Sequence, residues 1–189
     1  YFQSFTSTYG EREILLEKFR ESLAHPDIIG FALSTRPDCL DKEWVQNLSH
    51  LAEGKLCWIE IGLQSAIDST LARINRWHTR RQFEESVRLI NAHSQIPICA
   101  HTVIGLPGEK IAEVLETAKF LATQPIHGIK IHNLHVVKGT QLAHDFLEGR
   151  YTPPTLEEFL DGTLLTLEWA PPHFLIHRIN AHAPRHLTL

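Results

Sequence analysis

Side chains able to do chemistry recur in this sequence within or just after runs of apolar residues. Thr6, Ser7 and Thr8 follow an aromatic opening, and Thr35, Arg36 and Asp38 follow IIGFALS. Glu60 and Gln64 stand in LCWIEIGLQ, His101 in ICAHTVIG, and His132, His135 and Lys138 in IKIHNLHVVK. Hydroxyls, a guanidinium, carboxylates and imidazoles serve two kinds of site. They hold a polar ligand by hydrogen bonds, or, as Asp38, Glu60, His101, His132 and His135, they bind zinc or a similar ion for hydrolysis. The spacing of His132 and His135 weighs against the metal set, because residues i and i+3 of a strand face opposite ways. Each position also has a plain structural reading: Asp38 as a helix cap, Glu60 as the partner of Arg36, a strand-end histidine held by one hydrogen bond. Their repetition from strand to strand favours a site.

The elements that must position them alternate. Strands are expected to begin near Tyr1, Ile28, Leu56, Ile96 and Gly128, five in all, with Gly128 opening the last. Between them EREILLEKFRESLA carries Ile14, Leu15, Phe19 and Leu23 at helical spacing before Pro26 ends it. DKEWVQNLSHLAEG predicts a helix capped by Asp41 and stopped at Gly54. Ala66 to His93 predicts helix broken near Trp77, and KIAEVLETAKFLATQ is amphipathic helix. Apolar strands alternating with helices place the chain in the α/β class with a parallel sheet, either a β/α barrel or a doubly wound sheet. No Gly-x-Gly-x-x-Gly follows a strand, which lowers the dinucleotide-binding reading. In a barrel, the C-terminal strand ends build the active site. Residues 1–150 read as the core and 151–189 as a C-terminal extension packed on it.

Bulk properties narrow the function classes. A 189-residue chain with 43% apolar residues buries one substantial core. A net charge of −4 gives no overall attraction to nucleic acid, and no apolar run reaches membrane-spanning length, so a cytoplasmic protein is expected. The three cysteines, Cys39, Cys57 and Cys99, are scattered and odd in number, which does not suggest a disulfide framework. No methionine is present, as fits a chain that begins within a longer protein.

Taken in order, YFQSFTSTYG, STRPDCL, WIEIGLQSAIDSTLARINRWHT, HTVIGLPGE and IKIHNLHVVKGTQLA resemble the radical S-adenosylmethionine (SAM) proteins, in the bacterial branch close to the Elongator catalytic subunit and its tRNA-modifying relatives. The resemblance covers almost the whole chain. It implies a partial, six-stranded (β/α)6-type barrel and identifies Tyr1 to Gly10 with the second barrel strand, native rather than a cleavage-tag remnant. It further implies a four-iron four-sulfur cluster on three cysteines after the first strand. This chain has no such triplet. That first strand and cluster loop are expected upstream, and the chain alone is expected to be inactive.

By the same resemblance, Thr6, Ser7 and Thr8 are expected at the methionine amino group, Arg36 at the SAM carboxylate, Glu60 and Gln64 at the ribose or sulfonium, and Ile104, Gly105 and Gly108 at the adenine, with Thr35 and His101 as further SAM-binding residues. His132, His135 and Lys138 are expected to meet substrate. The implied activity is reductive cleavage of SAM to a 5′-deoxyadenosyl radical that takes hydrogen from substrate, with an electron donor as partner. A tRNA wobble uridine is the implied substrate. Arg73, Arg76, His78, Arg80 and Arg81 form a basic cluster suited to its phosphates, or a solvated helix face neutralised by Glu84 and Glu85. The alternatives left open are the metal-dependent barrel hydrolase and a non-catalytic scaffold whose His173/His177 and His182/His186 pairs are ordinary surface residues.

Overall fold

A computed structural model describes residues 1–3 and 6–189. Five strands, β1 Gly30–Thr35, β2 Leu56–Gln64, β3 Ile98–Ile104, β4 Gly128–Asn133 and β5 Leu175–Arg178, form one sheet in sequential order. Every pairing is parallel. Helices fill the crossovers: α1 Arg12–Leu23, α2 Lys42–Leu51, α3 Asp68–Arg73, α4 Arg80–His93, α5 Ile111–Ala122, α6 Gln141–Leu147 and α7 Leu156–Trp169.

Two expectations about the strands change. Among the described residues, the opening segment joins the sheet through one parallel bridge, Phe2 to Leu33, with the Phe2 N–H donating to the Ala32 carbonyl at 2.8 Å. The part of the expected opening strand at residues 4–5 lies outside the described residues. The fifth strand is β5, past Gly128, a short segment with every residue exposed. Residues after 150 therefore contribute to the sheet.

Local chemistry sets the helix ends. Asp41 accepts from the Trp44 N–H at 2.7 Å and caps α2, and Gly54 turns the chain at φ 69°. The expected break near Trp77 lies between α3 and α4, where Asn75 adopts a left-handed φ of 54° and Thr79 with Gln82 builds a capping box.

Helices cover one face of the sheet. Leu33, Ile59, Ile61, Leu63, Ile98, Ala100, Ile129 and Ile131 share one core cluster with Phe19, Trp44, Leu48, Phe83, Val87, Ile90 and Leu121. The alternate strand positions face the other way and carry Ser34, Trp58, Glu60, His101, Lys130 and His132. That face is curved. Tyr1 beside β1 and Lys130 on β4 would stand about 19 Å apart in a flat sheet of neighbouring strands, beyond the reach of two side chains. Yet Lys130 Nζ donates to the Tyr1 hydroxyl at 3.1 Å. Sequential parallel strands with helices on the convex side make an open partial barrel rather than a doubly wound sheet.

Candidate functional site

The inner wall centres on Glu60, which is fully buried. Register places it opposite Ser34 and Cys99, four residues before the end of β2, so it lies inside the barrel rather than at the strand end. Trp58 Nε1 donates to Oε1 at 2.9 Å, and His101 Nε2 approaches Oε2 at 2.8 Å. Lys130 and the Tyr1 hydroxyl also donate to the carboxylate. Burial pushes the Glu60 carboxyl up, but the hydrogen bonds from His101, Lys130, Tyr1 and Trp58 outweigh it and hold it well below the usual carboxylate range. Arg36 is not its partner.

Instead the Arg36 fork closes on Asp38, with Nε donating to Oδ1 at 2.9 Å and a second bond from Nη2. Asp38 is thereby occupied, neither a helix cap nor a free metal ligand. Thr8 is buried and donates its hydroxyl to the Cys39 carbonyl at 2.7 Å, while the Thr35 hydroxyl lies 2.5 Å from it. Ser7 donates to the Phe2 carbonyl at 3.1 Å. These hydroxyls lock the 6–9 turn over the end of β1, closed by the Tyr9 N–H donating to the Thr6 carbonyl.

At the end of β2 a register shift between Gly62 and Gln64 and a φ of 69° at Gln64 distort the strand. A Cβ on Gly62 would collide with Gln64 Nε2 and reach Arg76 Nη2 at 3.0 Å, so the glycine admits both side chains to the inner face. The Arg76 Nε is buried with no hydrogen-bond partner in the protein, and burial followed by the nearby Arg36 charge lowers its pKa. An orphaned, half-buried guanidinium beside an amide is suited to a carboxylate.

The expected basic cluster does not hold together. Arg73 donates to the Pro107 carbonyl at 2.7 Å, and its guanidinium fills the space beside Gly108. His78 is buried against the Leu63 carbonyl at 3.2 Å. Arg80 stacks on Phe120 at 4.2 Å, and Arg81 pairs with Glu85 at 2.8 Å. The face beside Gly105 is likewise taken, by the Pro154 ring at 2.8 Å from a notional Cβ, and its carbonyl accepts from Tyr151 at 2.8 Å. Ile104 is buried, and Gly162 of α7 packs against it.

His132 lies on the inner wall, its ring 5.0 Å from that of His101. His135 and Lys138 lie elsewhere. His135 Nε2 is 3.2 Å from the Ala181 carbonyl and Lys138 Nζ donates to the His186 carbonyl at 3.0 Å, so both anchor the C-terminal segment. Lys130 and Arg76 are the site residues that strand-end reasoning missed. Asn75, a helix-stopping residue before Arg76, was the available signal for the second.

Among the described residues no three His, Cys, Asp or Glu side chains group as metal ligands. Cys39, Cys57 and Cys99 lie apart and free, and burial pushes the Cys57 and Cys99 thiols up to about 12, against thiolate formation. The residues present do not fit a four-iron four-sulfur cluster. At the C-terminal end of β2, Gln64 and Arg76 converge beside Gly62, an amide next to a guanidinium whose Nε has no partner in the protein.

Comparisons with known proteins agree with this architecture. The Radical SAM superfamily profile matches residues 3–121 and the Radical_SAM C-terminal domain profile matches residues 126–189. The chain is 37% identical over 189 residues to YtqA of Bacillus subtilis, covering 100% of this chain and 58% of that protein. It is 26% identical over 164 residues to the tRNA uridine(34) acetyltransferase of Dehalococcoides mccartyi, covering 82% of this chain and 34% of that one. In fold it is similar to the archaeal Elp3 of Methanocaldococcus infernus, with a TM-score of 0.76 at 22% identity over 85% of this chain and 38% of that one. Coproporphyrinogen III oxidase from Escherichia coli, a radical SAM enzyme, gives 0.63 at 15% identity over 83% of this chain and 35% of that one. With a one-sided helical layer, a polar inner wall and a profile match over most of its length, the chain belongs to the radical SAM superfamily.

Proposed function

We propose that this chain is the SAM-binding barrel of an enzyme that cleaves SAM reductively and takes a hydrogen atom from its substrate. When bound, SAM with a reduced iron–sulfur cluster supplies the 5′-deoxyadenosyl radical for that step. The chain's own residues bind and orient. The observation that carries the reading is the orphaned Arg76 guanidinium beside Gln64 at the end of β2. Arg76 holds the methionyl carboxylate, and Gln64 offers its amide to the ligand. The 6–9 turn, with Thr6, Ser7, Thr8 and Thr35, shapes the pocket beside β1, and Arg36 is fixed by Asp38 as its wall. Glu60, His101 and Lys130 line the interior below, and Ile104 with Gly105 closes the β3 side.

Residues 1–150 serve as the barrel core and 151–189 as the extension that completes it, in a cytoplasmic enzyme served by an electron donor. The named activity of the Dehalococcoides relative supports a tRNA uridine as substrate. The dispersal of the Arg73 to Arg81 cluster gives that substrate no separate phosphate-binding face on α3 and α4. Iron content, SAM binding and formation of 5′-deoxyadenosine under anaerobic reduction of the full-length protein test the reading. Cluster-loaded protein that neither binds nor cleaves SAM would refute it.

A further inference from the structure

We propose that the inner wall of β4 and β5 binds an oxyanion of the substrate, a phosphate or carboxylate group, between Arg178 and His132. This rests on the substrate entering the barrel as proposed above. A register shift between Ile129 and Lys130 sets Arg178 opposite Lys130, which faces inward. The same shift leaves His177 as the extra residue. Its ring crosses the inner face at Gly128, 2.8 Å from a notional Cβ, and lies 5.7 Å from the Trp58 ring. One irregularity thus turns two consecutive basic side chains toward the barrel.

Charge on this wall is unbalanced. Its acid among the described residues is Glu60, whose oxygens are engaged by Trp58, His101, Tyr1 and Lys130. The ion pairs join Glu60 to His101 and Lys130 and leave Arg178 outside both. Two residues beyond Lys130 on the same face of β4, His132 Nε2 is buried with no hydrogen-bond partner in the protein. Burial first, and then the charges of His101, Arg178 and Lys130, push the His132 imidazole down to about 4, with Glu60 acting in the opposite direction. His177, also lowered by burial and by Lys130, faces the same space. An oxyanion would satisfy the orphaned nitrogen and the Arg178 fork together. Arg178, at the end of β5, is exposed.

Inorganic phosphate and acetate, titrated separately into the full-length protein, test this by NMR of the His132 ring, assigned through His132→Gln. We expect one or both anions to raise the His132 pKa by more than one unit, since a bound anion favours the imidazolium. A response to phosphate with acetate silent assigns a phosphate group, and the reverse a carboxylate. Arg178→Gln, at an exposed position that leaves the core intact, should weaken the response at least tenfold. An unmoved His132, an unchanged response in Arg178→Gln, or displacement of the anion by SAM would overturn the proposal. The measurement needs neither cluster nor SAM cleavage, so its outcome is separate from that of the radical SAM reading.

Discussion

Glu60 and Lys130 form an ion pair across β3, from strands that are not neighbours. The carboxylate is fully buried and Lys130 nearly so. Removing one partner of such a pair strands the other charge in a medium that solvates it poorly. We expect Glu60→Gln to destabilise the protein by about 3–5 kcal/mol. Adding Lys130→Met should recover a large part of that loss, as equilibrium denaturation of both single variants and the double variant would show. Because the folded Glu60 pKa is depressed, its share of stability is present above the ordinary value of about 4.3 and is lost as pH falls below it.

His132 gives a pH dependence of different origin. Its folded pKa is lowered to about 4, so from there up to the unfolded value of about 6.5 the unfolded chain binds the extra proton. Stability from this group is full above that window and declines as pH falls through it. His78 and His177 are shifted in the same direction. Melting temperatures at pH 7 and pH 5 should differ less in His132→Gln than in the unaltered protein, and an equal difference would remove His132 from the account.

Two glycines should respond unequally to alanine. A Cβ on Gly30 would meet the Leu56 carbonyl oxygen at 1.8 Å, backbone that yields only if β1 and β2 separate. At Gly54, φ is 69° and nothing lies within 4 Å. Gly30→Ala should cost about 3 kcal/mol, the upper end of the range for overpacking, and Gly54→Ala about 1 kcal/mol through its left-handed backbone. Urea denaturation reads both, and a reversed order would contradict the register of β1 with β2.

Periodicity made the helices and the apolar strands readable, because one face of each meets the core. Cap chemistry at Asp41 and Gly54 was readable for the same local reason. Strand β5 was not. Its residues are all exposed, and it is held by pairing with β4, a contact from distant sequence that leaves no local pattern. Glu60 stood out as a carboxylate in an apolar run, but its partner Lys130 is set by register across two pairings, so Arg36 was the nearer guess. Arg76 was submerged in a run of basic residues, and only the left-handed turn at Asn75 sets it apart from Arg73 on the helix before it.

SAM affinity of the full-length, cluster-loaded protein is the most direct test of the site at the end of β2. Losing a charge-assisted hydrogen bond costs about 1.5–3 kcal/mol, so Arg76→Gln should weaken binding about ten- to a hundredfold with iron content unchanged. Arg36→Lys should change affinity less than about threefold, within the small effect expected where the fork is already engaged by Asp38. Undiminished SAM affinity in Arg76→Gln would contradict the account.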